Sequence, residues 1–371
     1  MKISAIDVFG YDLSYAHGEY VMSGGRAATS QSATAVRITT DDGLEGWGEV
    51  VPLGGTYLPT FTGAIRAAIA EIAPALIGAD PQNISSLHTI MDGILLGQEA
   101  TKSAIDIAAW DILGKSAGLP LSTLMGGVLN EDFPLYEAVP LDSPEAMAAF
   151  VRARMDAGIR RFQLKVGNLP LEDAARTRAV IETVDDDDDV IVIADSNGGW
   201  DVADAVQAAH AMHGLPVYIE QPCRSMADNI IVQRSMSQPL ILDECVVTLD
   251  DLYAVKYEAR AVAINIKLSR VGGLTNAIRI RDAAQSLGLK TSMEDTWGGD
   301  LTSAAVSHLA ASTQPQSLFN VSFFNDWTNE HIAGYQPRSV NGRGSAPAGP
   351  GLGVTVDTSQ LTHLATYRAA A

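Results

Sequence analysis

The sequence predicts an α/β protein, a parallel (β/α) barrel joined to a smaller α+β capping domain. Three observations point there. The chain has 371 residues, 47% of them hydrophobic and 19% charged, which is more than one small core requires. From Phe133 onward, short apolar runs alternate with helical patterns until eight strands have been spelled out. Three of those runs end on a carboxylate: "VIVIAD" on Asp195, "LPVYIE" on Glu220 and "QPLILD" on Asp243, at intervals of 25 and 23 residues.

Taken in order, residues 2–13 and 33–40 alternate as strands, and the turn "TDDGLEG" (40–46) leads to another near Trp47. Helical periodicity follows at 61–77 and 100–116, where Gly118 and Pro120 end the second helix and "LMGG" reads as a linker. The barrel strands are expected at 134–139, 160–166, 190–195, 216–220, 239–243, 262–267, 289–294 and 317–321. Helices are expected at 144–157, 171–183, 202–213, 227–237, 249–259 and 274–287. The tail, with "NGRGSAPAGPGLG", leaves the barrel near residue 335 and is expected to return to the first domain. The expected division is therefore a cap over 1–125, completed by about 340–371, and a barrel over 126–339.

The formal net charge of −19 and the lack of a basic patch argue against nucleic acid as a partner. The N-terminus alternates like a strand instead of forming a signal-peptide core, and no apolar run is long enough to span a membrane. Cys223 and Cys245 make no disulfide framework, so a reducing cytoplasm is expected, and with it a homo-oligomer. The run Asp185–Asp189 reads as a solvated loop before a strand.

In such barrels the residues at the C-terminal strand ends converge on the active site. Here they are Lys165, Asp195, Glu220, Asp243, Lys267, and the pair Glu294 and Asp295. A lone aspartate at a strand end is more often a cap, and a lone lysine more often faces solvent. Three carboxylates on consecutive strands repel one another, and a hard divalent cation relieves that repulsion. All-oxygen ligands with open positions suit Mg²⁺ better than Ca²⁺, which takes a denser ligand loop. Lys165 and Lys267, on the second and sixth strands, flank the mouth and can reach the α-carbon of a bound carboxylate from opposite faces. A neighbouring cation should bring their pKa values down toward the working pH.

The order "QLK", "ADSN", "IEQP", "LDE" and "NIKLSRVGG", with "GLEGWGE" and "SAIDIAAWDILGK" before it, resembles the muconate-lactonizing-enzyme-like branch of the enolase superfamily. The pairing of a Lys or His base with Mg²⁺ is the general pattern of such sites. The resemblance covers essentially the whole chain and implies a modified TIM-type barrel under a capping domain. It implies Asp195, Glu220 and Asp243 as Mg²⁺ ligands and Lys165 and Lys267 as bases. That branch usually has Lys-X-Lys on the second strand, where this chain has Gln163 in the first place. Asn197 is a turn former or a support for Asp195.

Small-molecule specificity is expected from "MEDTWGGD", where Asp295, with its neighbour Glu294 as a further candidate, can accept from a substrate ammonium and Trp297 offers an aromatic face. Trp297 as a core packing residue is the alternative. Tyr57 in "GGTYLPT" is a candidate lid residue, and Phe323 and Phe324 can face the site, with Trp327 further on. The stretch "EDTWGGD" is similar to cis-3-hydroxyproline dehydratases and hydroxyproline-betaine epimerases, and the first choice is dehydration of cis-3-hydroxy-L-proline. Racemisation or 2-epimerisation of a proline betaine begins with the same α-proton loss. A Schiff-base aldolase would need one desolvated amine and no carboxylate ring, and a noncatalytic metal-stabilised barrel would need no lysines.

Overall fold

The computed structural model describes residues 1–369 apart from Asp185, Asp186 and Asp188, so the acidic run 185–189 lies mostly outside the described residues. The cap opens with an antiparallel meander of β1 (Ile3–Ser14), β2 (Ser30–Thr40) and β3 (Glu45–Val50). Helices α1 (Thr62–Leu76), α2 (Ile84–Ile94) and α3 (Glu99–Ala117) pack on it. In α1 the buried residues Ile65, Ala68, Ile69, Ile72, Ala73 and Leu76 recur at helical spacing, one stripe toward the sheet. On β3, Gly46 and Gly48 lie under α3. A Cβ at Gly48 would stand 2.0 Å from the Ala104 carbonyl oxygen, so bare backbone is what lets the helix seat there.

Barrel strands β4 (Glu137–Val139), β5 (Arg161–Lys165), β6 (Ile191–Asp195), β7 (Val217–Glu220), β8 (Leu240–Leu242), β9 (Ala263–Lys267), β10 (Lys290–Glu294) and β11 (Leu318–Val321) run in sequence order. Every neighbouring pair among them is parallel. The ring closes where the Tyr136 amide donates to the Val321 carbonyl at 2.9 Å. Helices α4 (Pro144–Asp156), α5 (Pro170–Val184), α6 (Val202–Ala211), α7 (Met226–Gln233) and α8 (Leu274–Ser286) lie near their expected positions. The expected helix 249–259 is instead a short turn, Asp251–Tyr253, continued by the π-helical segment Ala254–Glu258. Helix α9 (Asp300–Ala311) was not among the expected ones, and all twelve of its residues are buried. A helix buried on every side has no polar face, so periodicity does not announce it. The last strand, β12 (Thr362–Arg368), pairs antiparallel with β1 at the sheet edge. Among the described residues no helix is long and apolar enough to cross a membrane.

Candidate active site

Register sets the charged residues level with one another. Lys165 pairs with Asp195, Asp195 with Glu220, and Lys267 with Glu294, all at the C-terminal ends of their strands. Asp243 follows β8 directly. Because strand side chains alternate, Gln163 and Asn265 point the same way as Lys165 and Lys267 two residues later. Both donate to Glu220 Oε1, at 2.9 and 2.7 Å.

Lys165 Nζ donates to Asp195 Oδ2 at 2.5 Å and to Gln163 Oε1 at 2.8 Å. Gln163, which replaces a lysine of the usual pattern, thus bridges Lys165 to Glu220. Asn197, at a left-handed φ of 48°, gives its amide N–H to Asp195 Oδ1 and its side-chain N–H to Asp195 Oδ2, each at 2.8 Å. Across the mouth, Lys267 Nζ lies 2.9 Å from Asp243 Oδ2 and 3.6 Å from Glu294 Oε1. The other Asp243 oxygen accepts from Arg270. Tyr57 reaches in from the cap, accepting from Lys267 at 2.7 Å and donating to Asp243 at 3.1 Å.

The electrostatics follow from burial and crowding. Glu220 is pushed well above the usual carboxylate range by burial and then by the charges of Asp195, Asp243 and Glu294. Asp243, though equally buried, is held down at about 2 by Lys267 and Arg270. Among the protein's own groups, the balance on both lysines is upward. Burial pulls each down, but Asp195, Tyr20 and Glu220 hold Lys165 well above its ordinary value, and Asp243, Glu294 and Glu244 raise Lys267. The donor chemistry of Asp195, Glu220 and Asp243, three buried carboxylates on consecutive strands, fits a hard divalent cation. Among the described residues no three acidic, imidazole or thiol groups already stand around one point as ligands. The oxygens are engaged instead by Lys165, Lys267 and Arg270.

Between the lysines is a small cavity of about 20 Å³, lined among others by Tyr20, Tyr57, Tyr136, Trp297, Phe324 and Trp327. That is room for about one water, so a substrate must displace a wall, and Tyr57, Met22 and Leu53 are wall residues on loops of the cap. Trp297 is buried against Tyr20 at 5.2 Å, Phe324 at 5.7 Å and Trp327 at 6.0 Å between ring centroids. Its Nε1 has no hydrogen-bond partner. Glu294 accepts from the Tyr136 hydroxyl through one oxygen and leaves Oε1 without a hydrogen bond. Asp295 is pinned through Oδ1 by Ser269 and the Thr296 amide, and burial pushes its pKa up to about 6.

Two expectations change. Phe323 does not line the cavity; it packs on Phe133 at 5.9 Å and against Gly344. Phe324 and Trp327 do line it, because the chain turns into a 3₁₀ helix, Phe324–Trp327, directly after β11. Strand alternation cannot anticipate that turn. Arg270, Asn265, Tyr20 and Tyr136 were missed in the sequence. Asn265 was discoverable by counting back two residues from Lys267, as Gln163 is from Lys165.

A family model for the mandelate racemase/muconate lactonizing enzyme N-terminal domain matches residues 15–126, and an enolase C-terminal domain-like model matches residues 146–360. The chain is 40% identical over 358 residues to a cis-3-hydroxy-L-proline dehydratase of Roseibium aggregatum, covering 96% of each protein. It is 29% identical to an N-succinyl-L-Arg/Lys racemase of Bacillus cereus over 99% of each. A mandelate racemase/muconate lactonizing enzyme-type protein of Roseovarius nubinhibens, crystallised with magnesium, superposes with a TM-score of 0.95 at 35% identity, covering 99% of this chain and 100% of that one.

Proposed function

Because the chain belongs to the mandelate racemase/muconate lactonizing enzyme family of the enolase superfamily, we propose that it dehydrates cis-3-hydroxy-L-proline by Mg²⁺-assisted removal of the α-proton. The observation that carries this is the placement of Lys165 and Lys267 on strands four apart in an eight-stranded ring, with three carboxylates on the strands between. Asp195, Glu220 and Asp243 would hold Mg²⁺, which supplies positive charge for the substrate carboxylate as the α-carbon loses its proton.

The chain's own residues do the rest. In cis-3-hydroxyproline the hydroxyl shares a ring face with the carboxylate, so the α-hydrogen lies on the opposite face. One lysine, as the free amine, takes that proton, and the C–H electrons become the Cα=Cβ bond. The other lysine, as ammonium, gives a proton to the departing hydroxyl, and the C–O bond breaks to release water. The enamine left behind becomes a cyclic imine by moving its N–H proton to the β-carbon. Glu294, through the oxygen that lacks a hydrogen bond, and Asp295 are assigned the ring ammonium, while Trp297, Phe324 and Trp327 exclude water. The 40% identity to the Roseibium aggregatum dehydratase supports this choice of substrate.

A second reading, 2-epimerisation of a hydroxyproline betaine, is favoured by one specific observation. Trp327, expected to lie outside, joins Tyr20, Trp297 and Phe324 around the cavity, and a quaternary ammonium prefers such a cage. The test is to supply each compound separately to the Mg²⁺-loaded enzyme in D₂O and follow α-proton exchange and product by NMR. Imine from cis-3-hydroxy-L-proline is the expected result. Epimerisation of the betaine with no water lost from the free imino acid would establish the second reading, and no exchange with either would reject both. The assignment carries with it a cytoplasmic homo-oligomer, to be checked by mass in solution.

A further inference from the structure

Glu49 of cap strand β3 is wholly buried, and among the described residues it forms no ion pair. Its side chain is nonetheless saturated with donors. One oxygen accepts from the Tyr11 hydroxyl of β1. The other accepts from the Gly299 amide at 3.0 Å, the Thr302 amide at 2.9 Å and the Thr302 hydroxyl at 2.7 Å. Those last three donors are the start of barrel helix α9, whose own N-cap position is a glycine with no side chain to offer. A carboxylate from the cap therefore does the work that an Asp or Ser at the N-cap usually does, and it gains from the helix dipole as well. The approach depends on the glycine: a Cβ at Gly299 would stand 2.5 Å from the Tyr11 hydroxyl and 2.9 Å from Glu49 Oε1. Burial pushes the Glu49 pKa up to about 7, against the hydrogen bonds from Thr302 and Gly299. Burying such a group is costly, and its placement calls for a compensating role.

The segment entering that helix is "EDTWGG", which carries Glu294, Asp295 and Trp297. Trp297, two residues before Gly299, is gripped from the same cap by Tyr15 at 5.9 Å and Tyr20 at 5.2 Å. We propose that Glu49 is a positioning residue for substrate selection: by capping α9 from the cap domain it fixes Trp297 and Glu294, so that docking of the cap and assembly of the substrate-selecting wall are one event. This rests on the assignment of that wall to the substrate's ammonium side, while Lys165, Lys267 and the three carboxylates are untouched by it.

The experiment compares E49A, E49Q and T302V with the wild type, by steady-state kinetics on cis-3-hydroxy-L-proline, by Mg²⁺ titration, and by acrylamide quenching of Trp297. The Trp297 signal is obtained by subtracting the W297F form of each variant. E49A should raise KM by about 10-fold or more with a much smaller change in kcat, and raise Trp297 quenching several-fold, with Mg²⁺ affinity unchanged. E49Q keeps an acceptor oxygen and should stay near the wild type in both readouts. T302V removes one donor and should move both in the same direction by about 3-fold, which keeps the test open if E49A does not fold. Unchanged KM and quenching in a folded E49A or T302V, with loss confined to thermal stability, would overturn the proposal. So would a fall in kcat and Mg²⁺ affinity at constant KM. If the wild type does not turn over this substrate, the functional reading fails, and the quenching arm still decides the role of Glu49.

Discussion

Lowering the pH should weaken the protein through one buried histidine of α9. His308 of α9 is fully buried; its Nδ1 accepts from the Ser122 amide at 3.2 Å and its Nε2 lies 3.1 Å from the Leu352 carbonyl. That geometry fixes the neutral ring with its proton on Nε2, because a second proton on Nδ1 would face the Ser122 N–H. Burial accordingly lowers the pKa from 6.5 to about 4, with the Leu352 contact pulling slightly the other way. The folded state binds fewer protons than the unfolded one between those values. The associated stability is therefore fully present above about pH 6.5 and lost progressively as pH falls to about 4. A shift of about 2.5 units at 1.36 kcal/mol each corresponds to about 3 kcal/mol. Urea unfolding across that range, on the wild type and on His308→Gln, isolates the effect. Glutamine offers an acceptor and a donor but does not titrate, and every other group is common to both proteins. The wild type should lose about 3 kcal/mol more than the variant across the window. Parallel pH curves for the two would refute the reasoning.

Replacing Asp195 or Asp243 with Asn, or Glu220 with Gln, should abolish turnover and weaken Mg²⁺ binding by isothermal titration; full activity in excess chelator would contradict the metal assignment. Lys165→Ala and Lys267→Ala should each lose dehydration by about 10²-fold or more, measured by imine formation, and unimpaired turnover in both would remove them as bases. Phe324→Ala should raise KM for substrate, whereas Phe323→Ala should leave KM alone and cost about 3–5 kcal/mol in chemical denaturation. Gly48→Ala, forced against the Ala104 carbonyl, should lower stability by about 1–3 kcal/mol or more, read from the same assay.

The sequence made some parts of the molecule legible for plain reasons. Barrel strands are short apolar runs bounded by turns, and the ends of β5 to β10 fell within a residue or two of where alternation put them. The ring of Lys165, Asp195, Glu220, Asp243 and Lys267 followed from those ends: register makes Lys165, Asp195 and Glu220 level, and Asp243 and Lys267 stand at or just past the ends of the next two strands. What escaped was set by tertiary contact. Helix α9 has no polar face to mark it, and α2 was passed over although Ile84, Leu87 and Met91 recur at helical spacing. Trp327 enters the cavity only because a 3₁₀ turn follows β11, and that same turn leaves Phe323 outside. Arg270, which takes half of Asp243, comes from the turn after β9. Glu49 lay in plain view in "GWGE", but its partner Gly299 at the start of α9 is 250 residues away.

The pairing of β12 with β1 has a consequence for how the protein is made. Ala5 lies opposite Arg368, so β1 waits for a partner strand synthesised more than 350 residues later. At roughly 5–20 residues per second that wait is on the order of 20–70 s. Throughout it the outer edge of β1 offers unpaired N–H and C=O groups to any passing strand. A nascent chain stalled or truncated before residue 362 keeps that edge open for good, with the barrel already complete behind it. Once β12 docks, its backbone takes up those N–H and C=O groups and the edge is closed.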